Sequence, residues 1–267
     1  MSSLPTAIAD SATMLRRDVR RMQRYPSLTL MLIGLPVVFL LLFVYVFGNT
    51  LGDGLGAPAG GRKEYLDYIA PAILLLAIAG AVQGTAIVVA MDMTQGIIAR
   101  FRTMAISRSS VLVGHVLGSL IQTAICIVVV LGVALLAGYR PSAGPADWLG
   151  VAGILLVTSL ALIWLSVALG LNASSVETAS NSPLVLTFLP FLGSGFVPTD
   201  SMPVGLRWFA MYQPFTPITD TLRDLLGGSP AGSSAILAVG WCLLIGFGGF
   251  FWSMALYRRD PVPRGGR

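Results

Sequence analysis

Apolar runs about as long as a bilayer is thick, separated by short polar or glycine- and proline-rich stretches, organise this chain. A helix needs about 20 apolar residues to cross the hydrocarbon core. Runs of that order cover residues 28–48, 69–91, 111–137, 148–171 and 235–257. Pro36 predicts a kink in the first, and Pro71 is expected in the first turn of the second, where proline is tolerated. A shorter stretch, 183–197, is interrupted by Pro190, Gly193 and Gly195. As a helix it would measure about 22 Å. The fifth crossing must therefore begin earlier, near Ala179, or fail to cross fully. Residues 198–230 are semi-polar, rich in proline, and carry Trp208, Phe209, Met211, Tyr212 and Phe215. That pattern predicts one or two short helices dipping into the interface.

The N-terminal stretch is not apolar enough to span. At 100° per residue, Arg16, Arg17, Arg20, Arg21 and Arg24 fall within an arc of about 140°, opposite Ile8, Leu15, Val19 and Met22. This is an amphipathic helix with an arginine face. It suits a membrane interface near anionic lipid, with a soluble helix packed on a partner as the alternative. The five arginines and the length of the following apolar run predict no cleavable signal peptide.

Composition supports a bilayer-embedded bundle. Charged residues make up 11% of the chain and the mean hydropathy is +0.81. A soluble domain carries about 25% charge, so this chain cannot clothe a water-facing surface. The basic residues flank apolar runs and read as topology signals, not as nucleic-acid contacts. With six crossings, the termini and the loops on their side hold twelve Lys and Arg, against five on the other side. Both termini are therefore expected in the cytoplasm.

Catalytic chemistry is sparse. A phosphate-binding loop needs a glycine-rich turn ending in Lys and Ser or Thr, but the one lysine, Lys63, stands in GGRKEY. No ATP hydrolysis is expected from this chain, and no cofactor or metal. Cys126 and Cys242 lie inside apolar runs without metal-ligand spacing, and the sole histidine, His115, reads as a polar helix-end residue. Ser194 has no histidine expected on its side of the membrane, which argues against a serine nucleophile. Asp67, Asp92, Asp147 and Glu177 fall at span ends or in loops, so ion coupling through the core has little support. Gly80 with Gly84, and Gly114 with Gly118, have the spacing of close helix approaches. Candidates to line a substrate path are Phe39, Phe43, Phe47, Gln83, Thr85, Asn181 and Thr187. Ordinary packing is the alternative for each.

Two segments carry a resemblance. QGIIARFRTMAISRSSVLVGHVLGSL (95–120) and FLPFLGSGFVPTDSMPVGLRWFAMYQPFTPITDTLRDLL (188–226) resemble ABC-transporter permeases of the daunorubicin-resistance type. The first matches the loop between that family's second and third spans. The second matches its late run of prolines, Gln and Arg at set spacings. The chain departs from the family near Ala105 and Ile106, where proline is frequent, and at His115, where arginine is frequent. The resemblance implies an all-α integral membrane fold with six transmembrane helices, the N-terminal interfacial helix, and a re-entrant helical hairpin between the fifth and sixth spans. The corresponding domains are a cytoplasmic helix (1–27), a permease domain (28–257) and a basic cytoplasmic tail (258–267).

It further implies a permease homodimer in the bacterial cell membrane, in a 2:2 complex with an ATP-binding cassette ATPase subunit that holds ATP and Mg. The cargo would be a drug, polyketide, glycolipid or similar amphipathic molecule. Arg100, Phe101, Arg102, Thr103 and Met104 form the expected handle for the ATPase, because a push there moves both adjoining spans. Residues 172–182 are a second candidate contact. The rival functional reading is a membrane scaffold, or an immunity or sensor subunit, that pairs with an ATPase and moves no solute.

Overall fold

The computed structural model describes residues 26–55, 60–94 and 108–258, with scattered N-terminal positions at 13, 15–17, 20, 22 and 24. Five helices are long and apolar enough to cross a membrane: Thr29–Asp53, Gly61–Thr94, Leu112–Leu136, Pro145–Asn172 and Ser233–Arg258. The first comprises α1 (Pro26–Leu42), a π-helical turn (Phe43–Phe47) and α2 (Gly48–Asp53). Then come α3 (Gly61–Thr94), α4 (Arg108–Leu136), α5 (Pro145–Asn172), α6 (Val176–Asn181), α7 (Leu184–Phe188), α8 (Val204–Tyr212), α9 (Phe215–Leu226) and α10 (Ser233–Arg258).

Two expectations change. Helix α3 begins at Gly61, ahead of the apolar run, so Pro71 lies well inside it and not in its first turn. Hydropathy marks where a helix enters lipid, and this helix continues beyond through Arg62, Lys63 and Glu64. The expected fifth crossing is not a continuous helix. It is α6, α7 and a 3-10 turn at Leu189–Leu192, broken around Pro183 and Pro190.

Helix ends follow local chemistry. Gly144 precedes α5, where Pro145 opens the first turn and Asp147 Oδ2 accepts from the Gly144 N–H at 2.8 Å. Gly138 (φ +110°) ends α4 with a left-handed turn, and Tyr139 N–H reaches back to Ala134 O. Gly228 (φ +74°) ends α9 in the same way.

Helix α3 is the hub. It packs against α1, α2, α4, α5, α6, α7 and α9, and 78% of its membrane window is enclosed, against 17% for the first and last spans. Small residues set the closest approaches. A Cβ on Gly170 would lie 2.7 Å from Ala86 O, and one on Gly249 would lie 2.5 Å from Leu165 N. In lipid, such approaches replace the hydrophobic drive that packs soluble helices. Gly84 meets a Leu32 side chain of α1, while Gly170 and Gly249, outside the glycine pairs read from spacing, approach neighbouring backbone more closely.

Gly249→Ala should lower stability by about 1–3 kcal/mol, because the obstructing atoms are backbone. That outweighs the roughly 1 kcal/mol of helix propensity that alanine adds. Gly248→Ala, where a Cβ meets nothing within 4 Å, should be neutral or stabilising. Thermal aggregation midpoints of the two variants in detergent check this.

Candidate functional site

The break between α7 and α8 is sterically enforced. A Cβ on Gly193 would lie 2.3 Å from Gln213 Nε2, and one on Gly195 would lie 2.7 Å from Ala72 Cβ. Glycine therefore lets this backbone press against α3 and α9. Breaking a helix releases backbone carbonyls, which need donors inside a membrane protein. Side chains supply them. Gln213 Nε2 donates to Leu189 O at 3.2 Å, and Tyr65 Oη donates to Phe196 O at 3.4 Å. Ser194 O accepts from Tyr68 Oη at 2.7 Å and from Arg223 at 2.9 Å.

Arg223 centres this junction. Its guanidinium bonds Asp220 Oδ1 at 2.7 Å and Ser194 O, approaches Tyr68 O at 3.4 Å, and lies over the Tyr68 ring at 4.1 Å. Asp220 Oδ1 also accepts from Ser194 Oγ at 2.7 Å, and Ser194 N–H donates to Thr216 Oγ1 at 3.2 Å. One arginine thus pins the broken segment, α3 and α9 together. Nearby, burial and then the Asp67 carboxylate push the Tyr139 phenol up, so it stays protonated at neutral pH. Sequence reasoning noticed the Gln and Arg spacing in 188–226 but gave Tyr65, Tyr68, Ser194, Gln213, Thr216, Asp220 and Arg223 no role. The usable signal was two i, i+3 pairs, Tyr65 with Tyr68 and Asp220 with Arg223, beside glycine-interrupted backbone.

An aromatic layer lies against the break. Phe39 and Phe43 of the first span meet Phe191 at 5.3 and 6.4 Å between ring centroids, Phe43 meets Phe196 at 5.0 Å, and Phe191 stacks on Phe196 at 4.4 Å. Phe47 packs on Phe43 at 5.8 Å and is exposed on its other side. Gln83 Nε2 donates to Ser180 O at 2.8 Å, and Thr85 is buried with its hydroxyl bonded to Ser119 Oγ at 2.8 Å. Thr187 is buried. Asn181 is exposed and heads a stripe with Val185, Phe188 and Leu192, whereas Ala179, Pro183, Thr187 and Pro190 face inward. The helical spacing of this stripe persists across the break.

At the opposite end of α3, Asp92 is 3% exposed. Its Oδ2 lies 2.6 Å from an Arg17 nitrogen and 3.3 Å from His115 Nε2. Arg16, Arg17, Arg20 and Arg24 are helical, with Arg17 half-buried and the other three exposed. Arg21 and the expected handle, Arg100, Phe101, Arg102, Thr103 and Met104, lie outside the described residues, as does most of the tail. Glu177 is exposed on α6. Among the described residues, no three His, Cys, Asp or Glu side chains gather as a metal site.

The profile of the ABC-2 type transporter family matches residues 11–226. The chain belongs to the ABC-2 type transporter family. It is 27% identical over 225 residues, 84% of its length, to the daunorubicin resistance ABC transporter permease protein DrrB1 of Streptomyces coeruleorubidus, covering 77% of that protein. It is 25% identical over 213 residues to the probable doxorubicin resistance ABC transporter permease protein DrrC of Mycobacterium tuberculosis, covering 78% of this chain and 74% of that one. A segment of 170 residues is 29% identical to ABC transporter G family member 20 of Dictyostelium discoideum, which is 23% covered. As an ABC-2 permease, the chain is the membrane subunit of an ABC exporter, whose ATP hydrolysis belongs to a separate ATPase. The matched region ends at Leu226, so it includes both the broken segment and the Arg223 junction.

In this ABC-2 permease, Arg223→Ala should cost about 2 kcal/mol or more, since it removes charge-assisted bonds and leaves carbonyls unmet. Arg223→Lys should recover only part, because an ammonium lacks the planar fork that bonds Asp220 and Ser194 while lying on a ring. Unfolding midpoints in detergent should rank unmodified, Lys, then Ala. Equal midpoints for all three would show the junction to be dispensable.

Proposed function

We propose that two copies of this chain enclose a path for a flat, amphipathic aromatic molecule, driven outward by two ATP-binding cassette subunits that hold ATP and Mg. The observation that carries the reading is the exposed stripe of Asn181, Val185, Phe188 and Leu192, polar at one end and apolar beyond. Asn181 stands at the cytoplasmic end of the stripe, where a polar side chain suits the entrance of a path and the apolar run beyond suits its interior. A second copy facing it would close a conduit with a polar mouth. Phe47 and the layer of Phe39, Phe43, Phe191 and Phe196 behind it offer ring faces and edges to a planar cargo. The names of the relatives, resistance permeases for daunorubicin and doxorubicin, support such a cargo. The bonds made by Gln83 and Thr85 favour a packing role for both, and buried Thr187 stands behind the wall.

In this reading α6, α7 and the following 3-10 turn are an interrupted fifth crossing, which makes six. Helices α8 and α9 form a re-entrant hairpin before the last crossing. The arginine distribution supports cytoplasmic termini in a bacterial cell membrane. The N-terminal helix lies at the inner interface, with Arg16, Arg20 and Arg24 turned to lipid headgroups. Residues 100–104 receive the push of the ATPase, with 172–182 as a second contact.

The test is doxorubicin export by proteoliposomes holding the permease and its ATP-binding partner. Phe188→Ala should raise KM about fivefold, the loss of one aromatic contact worth about 1 kcal/mol. Asn181→Ala should alter KM, and Val239→Ala, on the exposed face of α10, should not. Absent ATP-dependent export, or an unchanged KM in both stripe variants, would contradict the reading.

A further inference from the structure

Asp92 occupies an unusual position. It is nearly the last residue of α3, yet its side chain is only 4% exposed. A buried carboxylate costs several kcal/mol unless it is paired, so its partners are obligatory. Two of them come from separate elements. Arg17 reaches it from the N-terminal helical segment, and His115 reaches it from the second turn of α4. Both contacts converge on the same oxygen, Oδ2. Helix α3 ends at Thr94, two residues beyond Asp92, and His115 lies seven residues into α4. The Asp92–His115 contact therefore ties the end of α3 to α4, and Arg17 ties the N-terminal helical segment to both.

What Asp92 is attached to matters equally. Helix α3 runs unbroken from Gly61 to Thr94, and the 24 residues between Tyr68 and Asp92 span about 36 Å. Tyr65 and Tyr68, at its other end, hold the carbonyls of the broken segment. A displacement at Asp92 thus reaches the Arg223 junction through one helix enclosed along most of its length.

We propose that Asp92 is a positioning residue for transport: it locks the N-terminal helix, α3 and α4 into one body, so that a push on this body moves α3 as a rod and loosens the far junction. The proposal rests on the export reading above. Without the Arg17–Asp92 contact, the N-terminal helix stays on the membrane while α3 and α4 move alone, and hydrolysis proceeds without matched export.

The test is a double-mutant cycle of Arg17→Ala, Asp92→Asn and the pair, in proteoliposomes with the ATP-binding partner, read as doxorubicin exported per ATP hydrolysed. Each single variant should lower that ratio roughly tenfold, a coupling typical of linked sites. The pair should be no worse than the worse single, and Arg17→Lys should retain the ratio. Losses that multiply would show independent roles and overturn the latch. So would an unchanged ratio accompanied only by less assembled complex, which is a purely structural effect. If the unmodified complex fails to export doxorubicin, the cargo reading fails by itself. The same cycle is then scored on ATP hydrolysis per complex, where equal effects of both singles and the pair support the latch, and multiplied or absent effects overturn it.

Discussion

A backbone carbonyl that loses its helical donor inside a bilayer has no water to replace it, and the loss costs several kcal/mol unless another donor arrives. This chain interrupts its helical course between Asn181 and Thr199 with three prolines and two close-packed glycines. Everything around the interruption supplies donors. Tyr65 and Tyr68 come from α3, Gln213 precedes α9, and Arg223 projects from within it. At membrane depth such a broken segment would persist only with α3 and α9 held against it. Conversely, anything that shifts α3 changes which carbonyls are met.

That dependence gives α3 its central place. It is enclosed by neighbours along most of its length, it touches the broken segment at one end, and it carries a buried carboxylate at the other. Close glycine contacts at Gly170 and Gly249 make α3, α5 and α10 a tightly packed unit. The outer face of α10, α1 and the stripe on α6 and α7 are the more exposed elements. The conduit proposed between two copies uses α1 and this stripe, and leaves the packed middle of the chain closed.

Much of this was legible in the sequence. The apolar runs located every long helix to within several residues, because hydrocarbon tolerates little else over that length. The weak fifth run was readable as short and interrupted from Pro190, Gly193 and Gly195. The start of α3 was misread because a helix can extend past the lipid, where hydropathy says nothing. The junctions were harder. Asp220 and Arg223 are an obvious helical pair, but nothing local says that Ser194 and Tyr68 complete it, since those contacts span 29 and 155 residues of chain. Asp92 and His115 each read as a polar residue at a span end. Their pairing depends on how α3 and α4 pack, and no periodicity encodes that.

The central claim is that the irregular backbone of 189–197 is held by side-chain bonds at membrane depth instead of being a solvated loop. Hydrogen–deuterium exchange of the unmodified protein in lipid nanodiscs tests it most directly. Amides at Gly193 and Ser194, bonded to Pro190 O and Thr216 Oγ1, should exchange far more slowly than those of Ala231 and Gly232 in the exposed turn between α9 and α10. Exchange at the rate of that turn would contradict the account.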